Sequence, residues 1–385
     1  MRLTRDQLEI APAELARRLE EGDPLQVLDV RAPEQLAAGV VSPVPPDRFI
    51  NVRGSELVSM SEPAEVGLAP DEEVVVVCGR GNDSLRVAAW LTVAGYEARS
   101  LAGGITAWMH LSVPRYLPPP PGFDSLVQFD RPGKGALGYL LVSGDEALAV
   151  DVSLYPGPWL EEAERAGARI TAVADTHVHA DYISGGPDLA ASLEVPWYLH
   201  PADMVYPYDG TPGILPFTAL EDGQDLAVGT GTVRVIHTPG HTEGSMTFVA
   251  GAGAALTGDF LFVESVGRPD LAGRAEEWSR DLWASTHAAL TEWDERWLVL
   301  PAHYAGESER CADRTVGREL GRLRESNAAL RMAADREKFL YWVNTHTAPA
   351  PEAYPRIKAI NVGLVEVGRA EADLLEAGKN ECAIA

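Results

Sequence analysis

Two successive α/β domains are predicted for this 385-residue chain, the first with a parallel sheet flanked by helices and the second with packed sheets under outer helices. Three features predict them. The length exceeds what a single hydrophobic core ordinarily supports. The run Pro118 to Pro121 can continue neither helix nor sheet and reads as a stiff extended connection. The apolar pattern also changes across that run, from strands alternating with helices to strands that come first in a group. The expected boundaries are residues 1–117, a linker at 118–122, and residues 123–385.

In the first domain, "APAELARRLEEG" and "SLRVAAWLTVAG" carry helical apolar spacing, and "LQVLDV", "RFINV" and "EVVVVC" read as short buried strands. In the second, "SLVQFD", "GYLLVS" and "ALAVDVS" are successive strands, followed by the strand-like "ITAVADT" and a later cluster, "TVRVIHT", "SMTFVAG" and "AALTGD". The stretch "ERCADRTVGRELGRLRESNAAL" places Arg310, Arg314, Arg318 and Arg322 at steps of four with acids interleaved, which predicts a salt-bridged solvated helix face.

Composition narrows the partners. Lys plus Arg number 32 against 57 Asp plus Glu, and the net charge of -25 argues against a nucleic-acid backbone or an anionic membrane surface. Cys78, Cys311 and Cys382 are an odd, scattered set with no metal-ligand spacing, which fits a reduced, cytoplasmic setting. No apolar run of signal-peptide or membrane-span kind is present, so a soluble protein is expected.

Cys78 ends a predicted strand, and the loop "GRGND" leads into a helix, so the thiol faces a helix amino terminus at the sheet edge where ligands gather. Helix N–H groups and Arg80 would favour the thiolate of a group whose ordinary pKa is about 8.5. Gly79 and Gly81 let backbone N–H groups curl around one anionic atom, which favours a nucleophile over an inert buried cysteine. The segments "LDVRAPEQLAAG", "VVVVCGRGNDSLRVAAWL" and "LAGGITAW" resemble a single-domain rhodanese over residues 1 to about 115. The resemblance implies that Cys78 carries sulfane sulfur as a persulfide. Where many members have arginine this chain has Asp83, which reads as the helix N-cap and adds negative charge beside the site.

The second domain offers "DTHVHADYISGG", "HTPGHTEGS", "LTGDF" and "LPAHY", each after a strand pattern. They supply His177, His179, Asp181, His241, Asp259 and His303. A single histidine of this kind is more often a satisfied structural residue, but several in such contexts are hard to explain that way. His200 and His237 lack that context and are read as structural. The combination resembles the metallo-β-lactamase superfamily, whose fold is an αββα sandwich. "THVHADYISGG", "HTPGHTEGSMTF" and "TGDFLFVESVGRPDL" lie closer to the persulfide dioxygenases fused to rhodanese domains than to lactamases or glyoxalase II enzymes.

In two-metal members a histidine stands where this chain has Tyr182 and helps Asp181, Asp259 and His303 hold a second metal. A phenol with an ordinary pKa near 10 is a poor replacement, so the second position is expected to be empty. Two imidazoles and one carboxylate with open positions suit non-haem Fe(II). The resemblance implies one Fe(II) per chain on His177, His241 and Asp259, with His179, Asp181, Tyr182 and His303 around them. It also implies that Arg268 anchors an anionic group of the substrate and that two copies of the chain pair. The implied reaction oxidises a small-molecule thiol persulfide with O2 to sulfite and thiol, Cys78 moving sulfur and forming thiosulfate. The alternative is a zinc-dependent glyoxalase II-like thioester hydrolase with the rhodanese domain as a docking module.

Overall fold

The computed structural model describes residues 4–384 apart from 58, 61 and 348. The chain divides into two compact units: the first ends its main segment at Val113 and includes residues 131–134 and 377–379, and the second holds the remainder.

The first unit contains β1 (Glu9–Ile10), α1 (Pro12–Glu21), β2 (Leu25–Asp29), β3 (Phe49–Asn51), β4 (Glu73–Val77), α2 (Asn82–Val93), β5 (Ala98–Leu101) and α3 (Gly104–Met109). The strands form one sheet in the order β1-β5-β4-β2-β3 with every pairing parallel. Each residue of β2 and β4 is buried, as strands covered by helices on both faces must be. Val27, Val75 and Val77 pack with Leu15 and Trp108 on one side, and Leu28, Val74 and Val76 pack with Ala88 and Leu91 on the other.

The second unit begins at Pro114, within β6 (Val113–Leu117), and continues with β7 (Ser125–Arg131), β8 (Ala136–Ser143), β9 (Glu146–Val150), α4 (Gly157–Arg165), β10 (Arg169–Ala174), α5 (Gly186–Leu193), β11 (Trp197–Leu199) and β12 (Thr218–Ala219). These seven strands form one sheet in sequence order, β12 to β6. Pro114 to Leu117, expected before the linker, therefore lie in the second unit's sheet, because β6 hydrogen-bonds to β7. The second sheet runs in order through β13 (Asp225–Val228), β14 (Gly231–His237), β15 (Met246–Ala250), β16 (Ala254–Gly258), β17 (Leu298–Pro301) and β18 (Arg318–Glu319). α6 (Ala275–Glu292) connects β16 to β17, and α7 (Leu320–Ser326), α8 (Arg336–Thr345) and α9 (Tyr354–Asn361) follow.

Period-two alternation separates the two faces of β8. Tyr139 and Leu141 join Val235, Phe248, Leu256 and Leu300 between the sheets, whereas Leu140 and Val142 pack with Trp159 and Leu189 of the helices outside. Leu282 of α6 and Phe339 of α8 cover the second sheet. The layers are αββα.

The arginine row is not one helix. Arg310 is buried and its guanidinium reaches both Asp130 oxygens at 2.7 and 3.0 Å, Arg314 has φ +69°, and α7 starts only at Leu320. Pairing a buried guanidinium outweighs the local periodicity. Among the described residues no helix is long and apolar enough to cross a membrane.

Candidate metal centre

Four loops converge at the carboxyl ends of β10, β14, β16 and β17, and bring His177, His241, Asp259 and His303 together. Close approach there depends on Gly267, where a Cβ would stand 2.8 Å from His241 Nδ1 and closer still to the Asp259 carbonyl.

The partners of each imidazole decide which nitrogen is left to bind a metal. His241 Nδ1 donates to the Arg268 carbonyl at 3.0 Å, so Nε2 holds the lone pair. Thr176 Oγ1 donates to Asp151 at 3.0 Å and so accepts from His177 Nδ1 at 3.0 Å, which leaves Nε2 of His177 with its lone pair. These two nitrogens and Asp259 Oδ2 are buried, have no hydrogen-bond partner, and lie close together: Oδ2 is 3.5 Å from His177 Nε2 and 3.4 Å from His241 Nε2. Two donors each about 2.1 Å from one ion stand about 3 to 3.5 Å apart, so the three fit a single transition-metal ion. An isolated buried cluster of this kind without an ion would leave each polar atom unsatisfied.

Electrostatics prepare the same state. Burial lowers the His241 pKa to about 4 against the pull of Asp259, and burial likewise holds His177 well below its ordinary value. Burial would raise the Asp259 carboxyl, but His303 and His177 overcome it and hold it well below the usual range. The two imidazoles are neutral and the carboxylate is ionised, as metal ligation requires.

His303 is different. Its Nδ1 is 2.6 Å from Asp259 Oδ1 and its Nε2 is 3.0 Å from Asp181 Oδ2. Burial opposes its charge, yet Asp181 and Asp259 raise its pKa to about 10, so the ring is cationic, Nδ1 donating to Asp259 and Nε2 facing Asp181 as an ion pair. His179 directs Nε2 to Asp151 at 3.1 Å, and the Tyr182 ring stacks on it with centroids 4.2 Å apart. His179, Asp181 and His303 form a second ligand-type group, and Asp259, His303 and Cys382 a third.

Cys382 was not suggested by the sequence. It arrives because the Arg268 N–H donates to the Cys382 carbonyl at 2.9 Å and Ile384 N–H to Val266 at 3.1 Å, which pins the C-terminal segment against the metal loops. Its side chain is buried. Asp151 and Thr176 were also missed, although an acid at the end of "ALAVDVS" was a usable signal, since it closes a strand at the ligand-bearing edge.

Arg268 does not stand open. It is 1 % exposed, and Nε and Nη2 each bond Asp270 at 2.7 Å, so anchoring a substrate group would require that pair to open. His200 and His237 stack on one another at 4.5 Å.

In the first unit, Cys78 Sγ accepts from Gly81 N–H at 3.2 Å and lies 3.2 Å from Ser84 Oγ. The helix cap is Gly81, with φ +83°, rather than Asp83, which lies in the first turn of α2. A left-handed cap suits glycine and aims its N–H at the sulfur. α3 closes the loop from the other side: Ile105 N–H donates to the Cys78 carbonyl at 2.9 Å and Thr106 Oγ1 to Gly79 at 3.1 Å. Arg80 is exposed at the loop tip.

A metallo-β-lactamase superfamily model matches residues 132–303 and a rhodanese-like domain model matches residues 11–111. An uncharacterised protein of Mycobacterium leprae is 35% identical over an alignment of 152 residues that covers 34% of this chain and 68% of that protein. A hydroxyacylglutathione hydrolase of Gloeobacter violaceus is 35% identical over 136 residues, 34% of this chain and 51% of that protein. Among solved structures, a metallo-β-lactamase from Staphylococcus aureus matches with TM-score 0.56 and 26% identity over 63% of this chain and 74% of that one. ETHE1 from Myxococcus xanthus has TM-score 0.50 and 23% identity, covers 61% of this chain and 98% of its own, and shares the fold.

Proposed function

Given that the chain belongs to the metallo-β-lactamase superfamily and carries a rhodanese-like domain ahead of that fold, we propose that it oxidises a low-molecular-weight thiol persulfide with O2 at a single non-haem Fe(II), and moves sulfane sulfur through Cys78. The observation that carries this reading is the donor set: two neutral imidazole nitrogens and one carboxylate oxygen, each buried and without a partner, converge beside a tyrosine that supplies no imidazole. Such a set with open positions suits Fe(II), which, when bound, would let electrons pass from the persulfide sulfur to O2.

The chain's own residues do the positioning. Thr176 and the Arg268 carbonyl fix the two imidazole tautomers. His303 occupies Asp259 Oδ1 and leaves Oδ2 to the ion. Held between Asp181 and Asp259, His303 also keeps a proton beside the centre. One persulfide, one O2 and one water give one thiol, one sulfite and two protons. Sulfite can then attack the outer sulfur of a Cys78 persulfide; the S–S bond breaks, Cys78 leaves as thiolate, and thiosulfate forms without net oxidation.

A second reading is a zinc-dependent thioester hydrolase, favoured by 35% and 36% identity to two hydroxyacylglutathione hydrolases. Zinc can activate water but not O2. Oxygen uptake separates the two readings: protein loaded anaerobically with Fe(II) should consume O2 on addition of glutathione persulfide or coenzyme A persulfide, and the zinc-loaded protein should not. No uptake with either persulfide, together with two metals per chain and hydrolysis of an acyl-glutathione, would establish the hydrolase instead.

A further inference from the structure

Asp203 lies outside every motif that marks the centre, in a short turn, Pro201–Asp203, after β11. Its side chain is nonetheless the meeting point of both histidine loops. Oδ2 accepts from the Val178 N–H at 2.7 Å and from Thr242 Oγ1 at 2.9 Å, and Oδ1 accepts from the Gly244 N–H at 2.7 Å. Val178 stands between His177 and His179, and Thr242 follows His241 directly. The residue is 6% exposed. One buried carboxylate thus joins the loop that leaves β10 of the seven-stranded sheet to the loop between β14 and β15 of the six-stranded sheet. From the other side of Val178, Lys358 Nζ donates to its carbonyl at 2.8 Å, and Asn361 Nδ2 donates to the His179 and Tyr182 carbonyls at 2.9 Å each.

We infer that Asp203 is the positioning residue that sets the separation of the His177 and His241 imidazoles, and with it the metal affinity and ligand geometry of the centre. The two histidines come from different sheets, so their spacing is open to any sliding of one sheet over the other. The bond from Met246 N–H to the Thr176 carbonyl, 2.8 Å, also joins the loops, but it is a single main-chain contact beside the ligands. Asp203 adds three charge-assisted bonds, which are stronger than neutral ones and fix direction as well as distance. The inference concerns the metal centre itself and holds whether the resident ion is iron or zinc.

Asp203→Asn is a sharp test because no orientation of the amide satisfies the site. Its NH2 would face either the Gly244 N–H or the Val178 N–H, donor against donor. Thr242→Val is the milder companion, removing one of the three donors and leaving the carboxylate. The full chain is stripped of metal and titrated with Co(II), chelator competition giving the dissociation constant and the visible d–d bands reporting ligand geometry, while the melting temperature of the metal-free protein reports the fold. Loss of an outer partner typically weakens metal binding about 10- to 100-fold. Asp203→Asn is expected to fall in that range with altered band positions, and Thr242→Val to fall less far in the same direction. A dissociation constant within about twofold of the parent protein for folded Asp203→Asn would overturn the inference. So would weaker binding with unchanged bands in both variants, because loss of fold alone removes sites without reshaping those that remain.

Discussion

Asp259 shares its two oxygens between different tasks: Oδ1 lies 2.6 Å from His303 Nδ1, and Oδ2 lies 3.4 Å from His241 Nε2. The imidazolium of His303 thus aims the carboxylate and lowers its basicity toward protons, while one oxygen stays available to a cation. Asp181, 3.0 Å from His303 Nε2, completes the row.

Removing that support should be felt by the metal first. His303→Ala leaves Asp259 Oδ1 without its donor, and metal affinity should fall about 10- to 100-fold by chelator competition. An unchanged dissociation constant would mean that the carboxylate is oriented by something else.

If Tyr182 limits the centre to one ion, replacing it should change the metal count. Tyr182→His restores an imidazole beside Asp181 and His303, and zinc-loaded variant protein should approach two metals per chain where the parent holds one, measured by metal analysis on folded protein. The substitution also removes the phenol stacked on His179, so a small drop in melting temperature is expected. A count that stays at one would place the restriction on the doubly paired His303.

The Cys78 loop has little tolerance for side chains behind it. At Gly104, φ +63°, an added Cβ would lie 2.4 Å from the Cys78 carbonyl and 2.7 Å from Gly81 N. Gly104→Ala should destabilise the protein by about 1–3 kcal/mol and slow persulfide formation at Cys78, read by mass spectrometry after exposure to thiosulfate or glutathione persulfide. Cys78→Ser should abolish thiosulfate formation while leaving iron-dependent oxygen uptake; unchanged products would separate the two activities.

Acid stability of the first unit should depend on Glu73, which is held between Arg99 and Arg18. Burial would raise its pKa, but the hydrogen bonds and charges of Arg99 and Arg18 prevail and lower it. A carboxyl with a depressed folded pKa contributes stability that is complete above its unfolded value, about 4.3, and is lost as pH falls through the folded one. Glu73→Gln should therefore lower the melting temperature at pH 7 by roughly 5 °C, and the difference should shrink below about pH 4. A gap that persists to pH 2 would assign the effect to packing.

Much of this was legible along the chain. Strands such as "EVVVV" and "GYLLVS" were legible because burial on both faces writes a near-continuous apolar run into the sequence, and every residue of both is buried. His177, His241 and Asp259 were legible as metal-type residues by their place after strands, where a sheet edge collects side chains. The arginine row was misread because periodicity says nothing about Asp130, which lies 180 residues before Arg310 and buries its guanidinium.

By itself, then, the sequence determined the layers of sheet and helix and the strand-loop-helix around Cys78, since each rests on neighbouring residues and local periodicity, and it marked the histidines and acids of the candidate metal centre by their place after strands. Only the tertiary structure decided which nitrogen of each imidazole is left unpaired, that Arg268 is bound to Asp270, that Cys382 lies beside Asp259 and His303, and that Asp203 ties the two histidine loops. Those are pairings between distant segments. They depend on how two sheets, a turn and a C-terminal segment pack, and a buried polar group takes whatever partner that packing brings within hydrogen-bond reach.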